Sequence, residues 1–121
     1  MVLGGIAINK REVGSVWEQR VADYLLNKGY IVLEMNYRTR YSEIDVIAQD
    51  KEELVFIEVK YRRDARKGHP LEAINNNKIR RIRNAALFYL RDHGYIIDQT
   101  MIRFDAIGIL GNEMTHIKNA F

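Results

Sequence analysis

Four charged residues stand at the ends of two neighbouring apolar segments, at a spacing that could support metal chemistry. The segment "EIDVIAQ" carries Glu43 and Asp45, and the segment "LVFIEVK" carries Glu58 and Lys60. Because side chains alternate along a β-strand, the two charged residues of each segment share one face of their strand. Carboxylates beside an ammonium group are the residue types that could hold a divalent cation and stabilise negative charge on a substrate.

The turn between these segments decides which charged residues face each other. If "DKEE", residues 50–53, is a four-residue loop between antiparallel strands, Asp45 lies opposite Glu58 and Glu43 lies opposite Lys60. Directly opposed Cβ atoms are about 5 Å apart, so two such carboxylates must share a proton or a cation. An all-oxygen site of this kind suits Mg²⁺ or Mn²⁺. The alternative is a set of salt bridges to nearby lysines and arginines, without chemistry.

A further carboxylate interrupts the apolar stripe of the first predicted helix. This helix, residues 12–28, has a core side formed by Val21, Ala22 and Leu25. Glu18 falls on the same stripe, so its carboxylate either reaches water at the edge of the stripe or serves a site inside the protein. A helix packed across the sheet could bring Glu18 to the corner that holds the other carboxylates.

Hydrophobic periodicity predicts the elements that must position these residues. We expect strands at 30–40, 43–49 and 54–62, a second helix at about 77–92, and closing strands at 101–110 and 114–121. Gly29 and Gly94 stand where the helices should end, and Gly111 stands where the closing strands should turn. The resulting α-β-β-β-α-β-β order predicts an α/β domain with a mixed sheet.

Composition predicts one ordinary globular domain. The chain has 121 residues, of which 47% are hydrophobic, and residues 1–11 are expected to form a flexible arm before a single domain at 12–121. The absence of cysteine excludes a disulfide framework and a thiolate metal site. No segment approaches the roughly 18 apolar residues of a membrane span, and no secretory signal is recognisable, so we expect a cytoplasmic protein.

Positive charge is concentrated in one part of the chain. The net charge is only +3, but the window 60–83 holds nine basic and two acidic residues. Such a concentration favours a polyanionic partner. A solvated, charged helix face would explain the same residues without a partner.

The motifs together resemble those of a known enzyme superfamily. The combination of Glu18 on the first helix, Asp45, and "EVK" at 58–60 is similar to the active-site pattern of the PD-(D/E)XK nucleases. Over residues 12–110, the segments "EIDVIA…LVFIEVKYR", "GHPLEAINNNKIRRIRNAALFYL" and "IRFDAIGI" resemble the YraN-type family, small bacterial proteins similar to archaeal Holliday-junction resolvases. Ser42 departs from that family, in which glycine usually precedes "EID".

The resemblance implies a fold and a set of site residues. The fold would be a restriction-endonuclease-like core of α-β-β-β-α-β order. Asp45 and Glu58 would bind Mg²⁺ or Mn²⁺, with help from the Val59 carbonyl. Lys60 would be the catalytic lysine, and Glu18 would complete the acidic set directly or through water.

The implied activity is hydrolysis of phosphodiester bonds in DNA, including branched or structured DNA. Basic side chains would hold the flanking phosphates, and such contacts position a substrate without reading its sequence. A structure-selective or non-specific nuclease is therefore favoured over a sequence-specific one. The residues expected to make these contacts are Arg62, Arg63, Arg66, Lys67, Lys78 and Arg81.

Several points stay open on the sequence alone. Glu43 could hold Lys60 in place or act as a further metal ligand. The main alternative function is a nuclease-fold protein that binds nucleic acid without cutting it, within a larger complex. A third hypothesis is a structural domain whose charges form salt bridges. By analogy with resolvases we expect a homodimer.

Two residue types outside the motifs receive simpler interpretations. The three histidines have no partners at metal-ligand spacing, so His69, His93 and His116 are expected at the surface. Asp105 interrupts the apolar strand "RFDAIGI" and could pair with Arg103 or Arg38, or support the site; a structural role is favoured.

Overall fold

The computed structural model of the protein describes residues 2–3, 6–7 and 16–121. At the N-terminus, strands β1 (Val2–Leu3) and β2 (Ile6–Ala7) pair in antiparallel fashion. The other residues of the predicted arm, and the predicted start of the first helix at 12–15, lie outside the described residues. The boundary between arm and domain at residue 11 therefore stays a prediction.

Over the described residues, two helices and a five-stranded mixed sheet follow in the predicted order. The helices are α1 (Val16–Asn27) and α2 (Asn76–Asp92). The strands are β3 (Ile31–Arg38), β4 (Glu43–Asp50), β5 (Glu53–Arg62), β6 (Met101–Leu110) and β7 (Glu113–Ile117). They lie in the order β3-β4-β5-β6-β7, with β5 and β6 parallel and the other neighbours antiparallel. The predicted α/β class is confirmed, and α2 forms the crossover that a parallel pair requires.

The helices end at the glycines that the sequence indicates. Gly29 has a φ of +87°, and the next N–H, that of Tyr30, donates to the Leu25 carbonyl oxygen at 2.9 Å. This is the hydrogen bond of a Schellman cap, which favours glycine because it needs a left-handed residue. Gly94 ends α2 with a φ of +74°. Within the described chain, neither helix combines the length and apolar character needed to cross a membrane.

The helices cover opposite faces of the sheet. Val21 and Leu25 of α1 pack in one buried cluster with Val55, Ile57 and Val59 of β5. A second cluster lies on the α2 side of the sheet; its members include Leu54, Phe56, Ile82, Ala85 and Tyr89. Since successive residues of β5 point to opposite faces, Glu58 and Lys60 continue the row of Phe56 on the α2 face.

The turn between β4 and β5 is tighter than predicted. Asp50 pairs with Glu53, so only Lys51 and Glu52 form the turn, and Lys51 takes a φ of +54°. Each strand is thus one residue longer at the turn than the sequence indicated. Because both strands lengthen equally, the predicted register is preserved.

A buried ion network joins β6 to this turn. Arg103 is only 4% exposed, and its guanidinium donates to both carboxylate oxygens of Asp105, at 2.9 and 3.0 Å. It also donates to Asp50 at 2.9 Å, to Glu53 at 3.0 Å and to the Tyr30 hydroxyl at 2.7 Å. The expected pairing of Asp105 with Arg103 is confirmed.

His116 completes this network, so its expected surface position is wrong. Its Nε2 lies 2.7 Å from Asp105 Oδ2, and its Nδ1 lies 2.9 Å from the Tyr24 hydroxyl. Burial alone would raise the pKa of Asp105, but hydrogen bonds from His116 and Arg103 outweigh it and lower that pKa. The sequence could not reveal this role because His116 reaches Asp105 only across the β6–β7 pair.

The last strand is also shorter than predicted, since β7 ends at Ile117. The chain turns after it, with Asn119 at a φ of +52°. The Asn119 N–H donates to Asp105 Oδ1 at 3.1 Å, so the same buried carboxylate that binds Arg103 also holds the end of the chain.

Arg103→Met should lower the free energy of unfolding by about 3–5 kcal/mol, because it leaves the buried Asp105 carboxylate without its main cation. The matched control is Arg66→Met, which removes an exposed ion pair with Asp64 (3.4 Å) and should cost less than about 1 kcal/mol. Urea unfolding measures both values. Equal losses in the two variants would contradict a structural role for the Arg103 network.

Candidate functional site

The hydrogen-bonded pairing of β4 with β5 runs from the turn to Val46 and Ile57, and then stops. Beyond that pair, the Asp45 side chain accepts a hydrogen bond from the Val59 N–H, with Oδ2 2.8 Å from the nitrogen. A carboxylate thus takes the place of a strand partner. The arrangement fixes the Asp45 carboxylate at the open end of the hairpin, beside the strand that carries Glu58.

Glu58 is the buried carboxylate of this site. The residue is 2% exposed, and its Oε1 lies 3.4 Å from Lys78 Nζ and 3.9 Å from Lys60 Nζ. Burial and the nearby Asp45 charge raise the pKa of Glu58 from its usual 4.5 to about 7, although the two ammonium groups oppose the rise. The Asp45 charge therefore acts on Glu58, and the joint role of the two carboxylates as metal ligands stays a prediction.

Asp45 is subject to the same forces. Burial raises its pKa, against the hydrogen bond from Val59, and the nearby Glu43 charge adds to the rise. The Asp45 charge thus disfavours the charged form of Glu58, and the Glu43 charge disfavours that of Asp45. A cation between Asp45 and Glu58 would relieve both the desolvation and the repulsion.

The N-terminus of α2 positions Lys78. The Asn75 side chain caps the helix by accepting a hydrogen bond from the Lys78 N–H at 3.0 Å. Lys78 therefore lies in the first turn of a well-defined helix, and its ammonium group reaches down to Glu58. The sequence indicated Lys78 only as a phosphate contact, because nothing local shows that the helix begins above β5.

A close contact with β6 fixes where α2 begins. Gly108 pairs with Lys60 in the parallel ladder and lies beneath the 3-10 turn Pro70–Ala73. A Cβ atom at Gly108 would stand 2.7 Å from Leu71 Cγ and 3.0 Å from His69 Cε1. Glycine thus lets the turn lie on the sheet beside the site. A glycine inside an apolar strand, "AIGIL", is a signal of such close approach that sequence reasoning could have used.

Glu43 and Lys60 do not face each other as the extrapolated register indicated. Glu43 lies opposite Arg38 in the β3–β4 ladder, and its Oε2 is 3.0 Å from Arg38 Nε. Lys60 pairs instead with Glu58. The extrapolation fails because the β4–β5 pairing ends before these residues. A metal-binding role for Glu43 stays a prediction.

Glu18 comes from the helix on the opposite face of the sheet. Its Oε2 accepts a hydrogen bond from Asn36 Nδ2 at 2.9 Å, and Asn36 holds a φ of +55° within β3. In the part of the chain that the structure describes, no three or more His, Cys, Asp or Glu side chains form a metal-binding group. Convergence of Glu18 with Asp45 and Glu58 therefore stays a prediction.

Four of the expected phosphate contacts lie at the end of β5 and in the loop that follows it. Arg62 Nη1 donates to the carbonyl oxygens of Lys67 and Gly68, the latter at 3.1 Å, so this arginine shapes the loop itself. Arg66 pairs with Asp64. The side chains that the loop leaves exposed include Arg63 and Lys67.

The other two, Lys78 and Arg81, line a cavity of about 330 Å³ between α2 and the β3–β4 turn. Ser42 joins this turn to the helix, since its Oγ donates to the Arg81 carbonyl oxygen at 2.9 Å. A larger cavity of about 890 Å³ lies at the other end of the sheet, beside Arg103 and His116. The buried charges there are paired with each other, so we place the candidate site at the Asp45 end.

Comparisons with known proteins place the chain among uncharacterised bacterial proteins. The model of a family described as "Uncharacterised protein family UPF0102" matches residues 17–109. A UPF0102 protein of Lachnoclostridium phytofermentans is 45% identical over 114 residues, which cover 94% of this chain and 96% of that protein. A UPF0102 protein of Fusobacterium nucleatum is 38% identical over 93% of this chain and 92% of its own length. A UPF0102 protein of Persephonella marina is 42% identical over 89% of this chain and 91% of its own length.

The raised pKa of Glu58 predicts that the metal-free protein loses stability as pH rises from about 4.5 to 7.5. The folded state holds this proton more tightly than the unfolded state, so the stabilisation is complete below pH 4.5 and disappears as pH passes about 7. The loss should reach at most about 3 kcal/mol. Glu58→Gln should flatten the dependence, whereas Glu52→Gln, in the exposed β4–β5 turn, should not. Thermal unfolding in EDTA across this pH range measures the effect, and an unchanged slope in Glu58→Gln would contradict it.

Proposed function

We propose that this chain, which belongs to the uncharacterised protein family UPF0102, is a Mg²⁺- or Mn²⁺-dependent endonuclease that hydrolyses phosphodiester bonds in DNA. The observation that carries the proposal is the meeting of the Asp45 and Glu58 carboxylates with two lysine ammonium groups at the open end of the β4–β5 hairpin. The resemblance of "EID" and "EVK" to the PD-(D/E)XK pattern supports the same function. The substrate class includes branched or structured DNA.

The donor set suits a hard divalent cation. Asp45 and Glu58 offer carboxylate oxygens, and the Val59 carbonyl offers a neutral one, which are the ligands that Mg²⁺ and Mn²⁺ prefer. Burial raises the pKa values of both carboxyl groups, and a neighbouring carboxylate adds to each rise: Glu43 for Asp45, and Asp45 for Glu58. A bound cation would stabilise the charged forms of both. When bound, it would supply Lewis-acid polarisation of the scissile phosphate and a more acidic water.

The lysines supply the positive charge that phosphoryl transfer needs. Lys60, 3.9 Å from the Glu58 carboxylate, would offset negative charge that develops on the phosphoryl oxygens. Its carboxylate neighbours favour an electrostatic role over that of a general base. Lys78 Nζ lies 3.4 Å from the same Glu58 oxygen and would hold an adjacent phosphate.

The remaining predicted residues have supporting roles. Glu18, held by Asn36, would complete the acidic set through a water molecule. Exposed basic side chains would contact the flanking backbone without reading sequence, including Arg63, Lys67 and Arg81. A homodimer, formed through the outer edge of β7, the last strand of the described sheet, would allow symmetric action on a branched substrate.

One observation favours a second candidate function. Lys60 and Lys78 already lie 3.9 and 3.4 Å from Glu58 and lower its pKa, so the chain itself supplies part of the stabilisation that a cation would give. A protein with this arrangement could bind nucleic acid without cutting it and act in a larger DNA-processing complex. The two candidates make opposite predictions about cleavage.

The wild-type protein should cut duplex, single-stranded or branched DNA in Mg²⁺ or Mn²⁺. Asp45→Ala and Lys60→Ala should each lower the cleavage rate by about a hundredfold or more, because the first removes a proposed metal ligand and the second removes positive charge beside the reacting phosphate. DNA affinity should fall as salt rises, since binding depends on phosphate contacts. Gel assays with end-labelled substrates measure the rate, and fluorescence anisotropy measures the affinity.

The matched control is Lys118→Ala, which removes an exposed lysine beside the larger cavity and should leave the cleavage rate unchanged. Asp45→Ala should still bind DNA, because it removes a negative charge from the site. A wild-type protein that binds all three substrates and cuts none of them in either metal would overturn the nuclease proposal and support the second candidate.

A further inference from the structure

A groove runs between the β3–β4 turn and α2, and one end of it reaches the proposed active site. The cavity of about 330 Å³ extends from Lys78 and Glu43 to Tyr41. A second cavity of about 220 Å³ continues from Tyr41 to Phe88 and Arg91. Since Tyr41 lines both cavities, we call the two together the Tyr41 groove.

The groove presents aromatic rings to solvent. Tyr41 is 75% exposed and Phe88 is 41% exposed. Each ring already has an arginine beside it: the Arg40 guanidinium lies 5.7 Å from the Tyr41 ring centre, and that of Arg91 lies 5.7 Å from the Phe88 ring centre. Apolar side chains that are exposed together on the surface of a folded protein often mark a site where a ligand or a partner binds.

The charges around the groove are mostly positive. The basic side chains that line it are Arg38, Lys78, Arg81 and Arg91, and the acidic one is Glu43, which pairs with Arg38. Positive charge along a groove complements a phosphate backbone. Rings combined with such a groove are the usual means of holding single-stranded nucleic acid, because any unpaired base can stack on a ring.

The turn that carries Tyr41 is held in place at several points. The Thr39 N–H donates to the Ser42 carbonyl oxygen at 2.8 Å, and the Tyr41 N–H lies 3.3 Å from Thr39 Oγ1. The Ser42 hydroxyl then joins the turn to α2 through the Arg81 carbonyl oxygen. Tyr41 is therefore presented by a well-bonded turn, which lowers the entropy lost when a base stacks on it.

We propose that the Tyr41 groove holds an unpaired DNA strand next to the Asp45–Glu58 site, with Tyr41 and Phe88 as stacking platforms for its bases. The inference rests on the proposed nuclease function and names its substrate: DNA in which a single strand leaves a duplex. The bases of an intact duplex are stacked on each other, so they are not free to stack on these rings. The groove thus selects for unpaired DNA.

The test measures binding in EDTA, where no cutting occurs. Dye-labelled oligo-dT and a duplex of equal length are titrated with the wild type, Tyr41→Leu and Tyr41→Phe, and anisotropy gives each affinity. Tyr41→Leu should weaken binding of the single strand roughly tenfold, because it removes a stacking ring. Tyr41→Phe keeps the ring and should bind as the wild type does. Duplex affinity should change less than twofold in both variants.

Tyr61→Leu is the matched control, since Tyr61 is an exposed tyrosine outside the groove. It should bind both DNAs as the wild type does, and all variants should keep the wild-type melting temperature within about 2 °C because the changed rings are exposed. Equal loss of single-strand and duplex binding in Tyr41→Leu, or the same loss in Tyr61→Leu, would overturn the inference.

The outcomes also separate this inference from the proposed function. If the protein binds oligo-dT through Tyr41 but cuts no DNA in Mg²⁺ or Mn²⁺, the result supports the Tyr41 groove and contradicts the nuclease proposal. If the protein cuts DNA but Tyr41→Leu leaves its affinity for single-stranded DNA unchanged, the result supports the nuclease proposal and contradicts the Tyr41 groove.

Discussion

The hydrogen bond from the Val59 N–H to the Asp45 carboxylate is the interaction on which the candidate site depends. It substitutes a side chain for a backbone partner at the point where β4 and β5 stop pairing. Because an unpaired backbone N–H in a buried strand is costly, the substitution fixes the Asp45 carboxylate in place. Glu58, the neighbour of Val59 along the strand, then has a second carboxylate close by and little access to water.

The two faces of the sheet differ in how buried charge is stabilised. On the α1 face, Arg103 and His116 satisfy Asp105, and its pKa falls. On the α2 face, burial and repulsion exceed the help from two lysines, and the pKa of Glu58 rises. A carboxyl group whose charged form is stabilised within the fold contributes to stability. One whose charged form is disfavoured is better suited to bind a cation, and such perturbed groups are typical of functional sites.

The sequence predicted the features that depend on local patterns. The order of elements, the helix ends at Gly29 and Gly94, and the β4–β5 register all follow from periodicity and turn residues. It failed where position depends on elements far apart in the chain. The link from His116 to Asp105 needs the β6–β7 pair, and the approach of Lys78 to Glu58 needs the turn that Gly108 admits. The Glu43–Lys60 pairing failed for a different reason, because a register holds only as far as the strands remain paired.

The parallel pairing of β5 with β6 has a consequence for the order of folding. The β4–β5 hairpin is local, so Asp45 and Glu58 come together early, before the chain has closed the long connection from Glu53 to its partner Met101. Arg103 reaches Asp50 and Glu53 only after that closure, so its ion pairs form late. Interactions formed after the transition state slow unfolding and leave the folding rate nearly unchanged. We therefore expect the Arg103 network mainly to slow unfolding of the native state, and we expect the repulsion between the two carboxylates to arise as the β4–β5 hairpin forms.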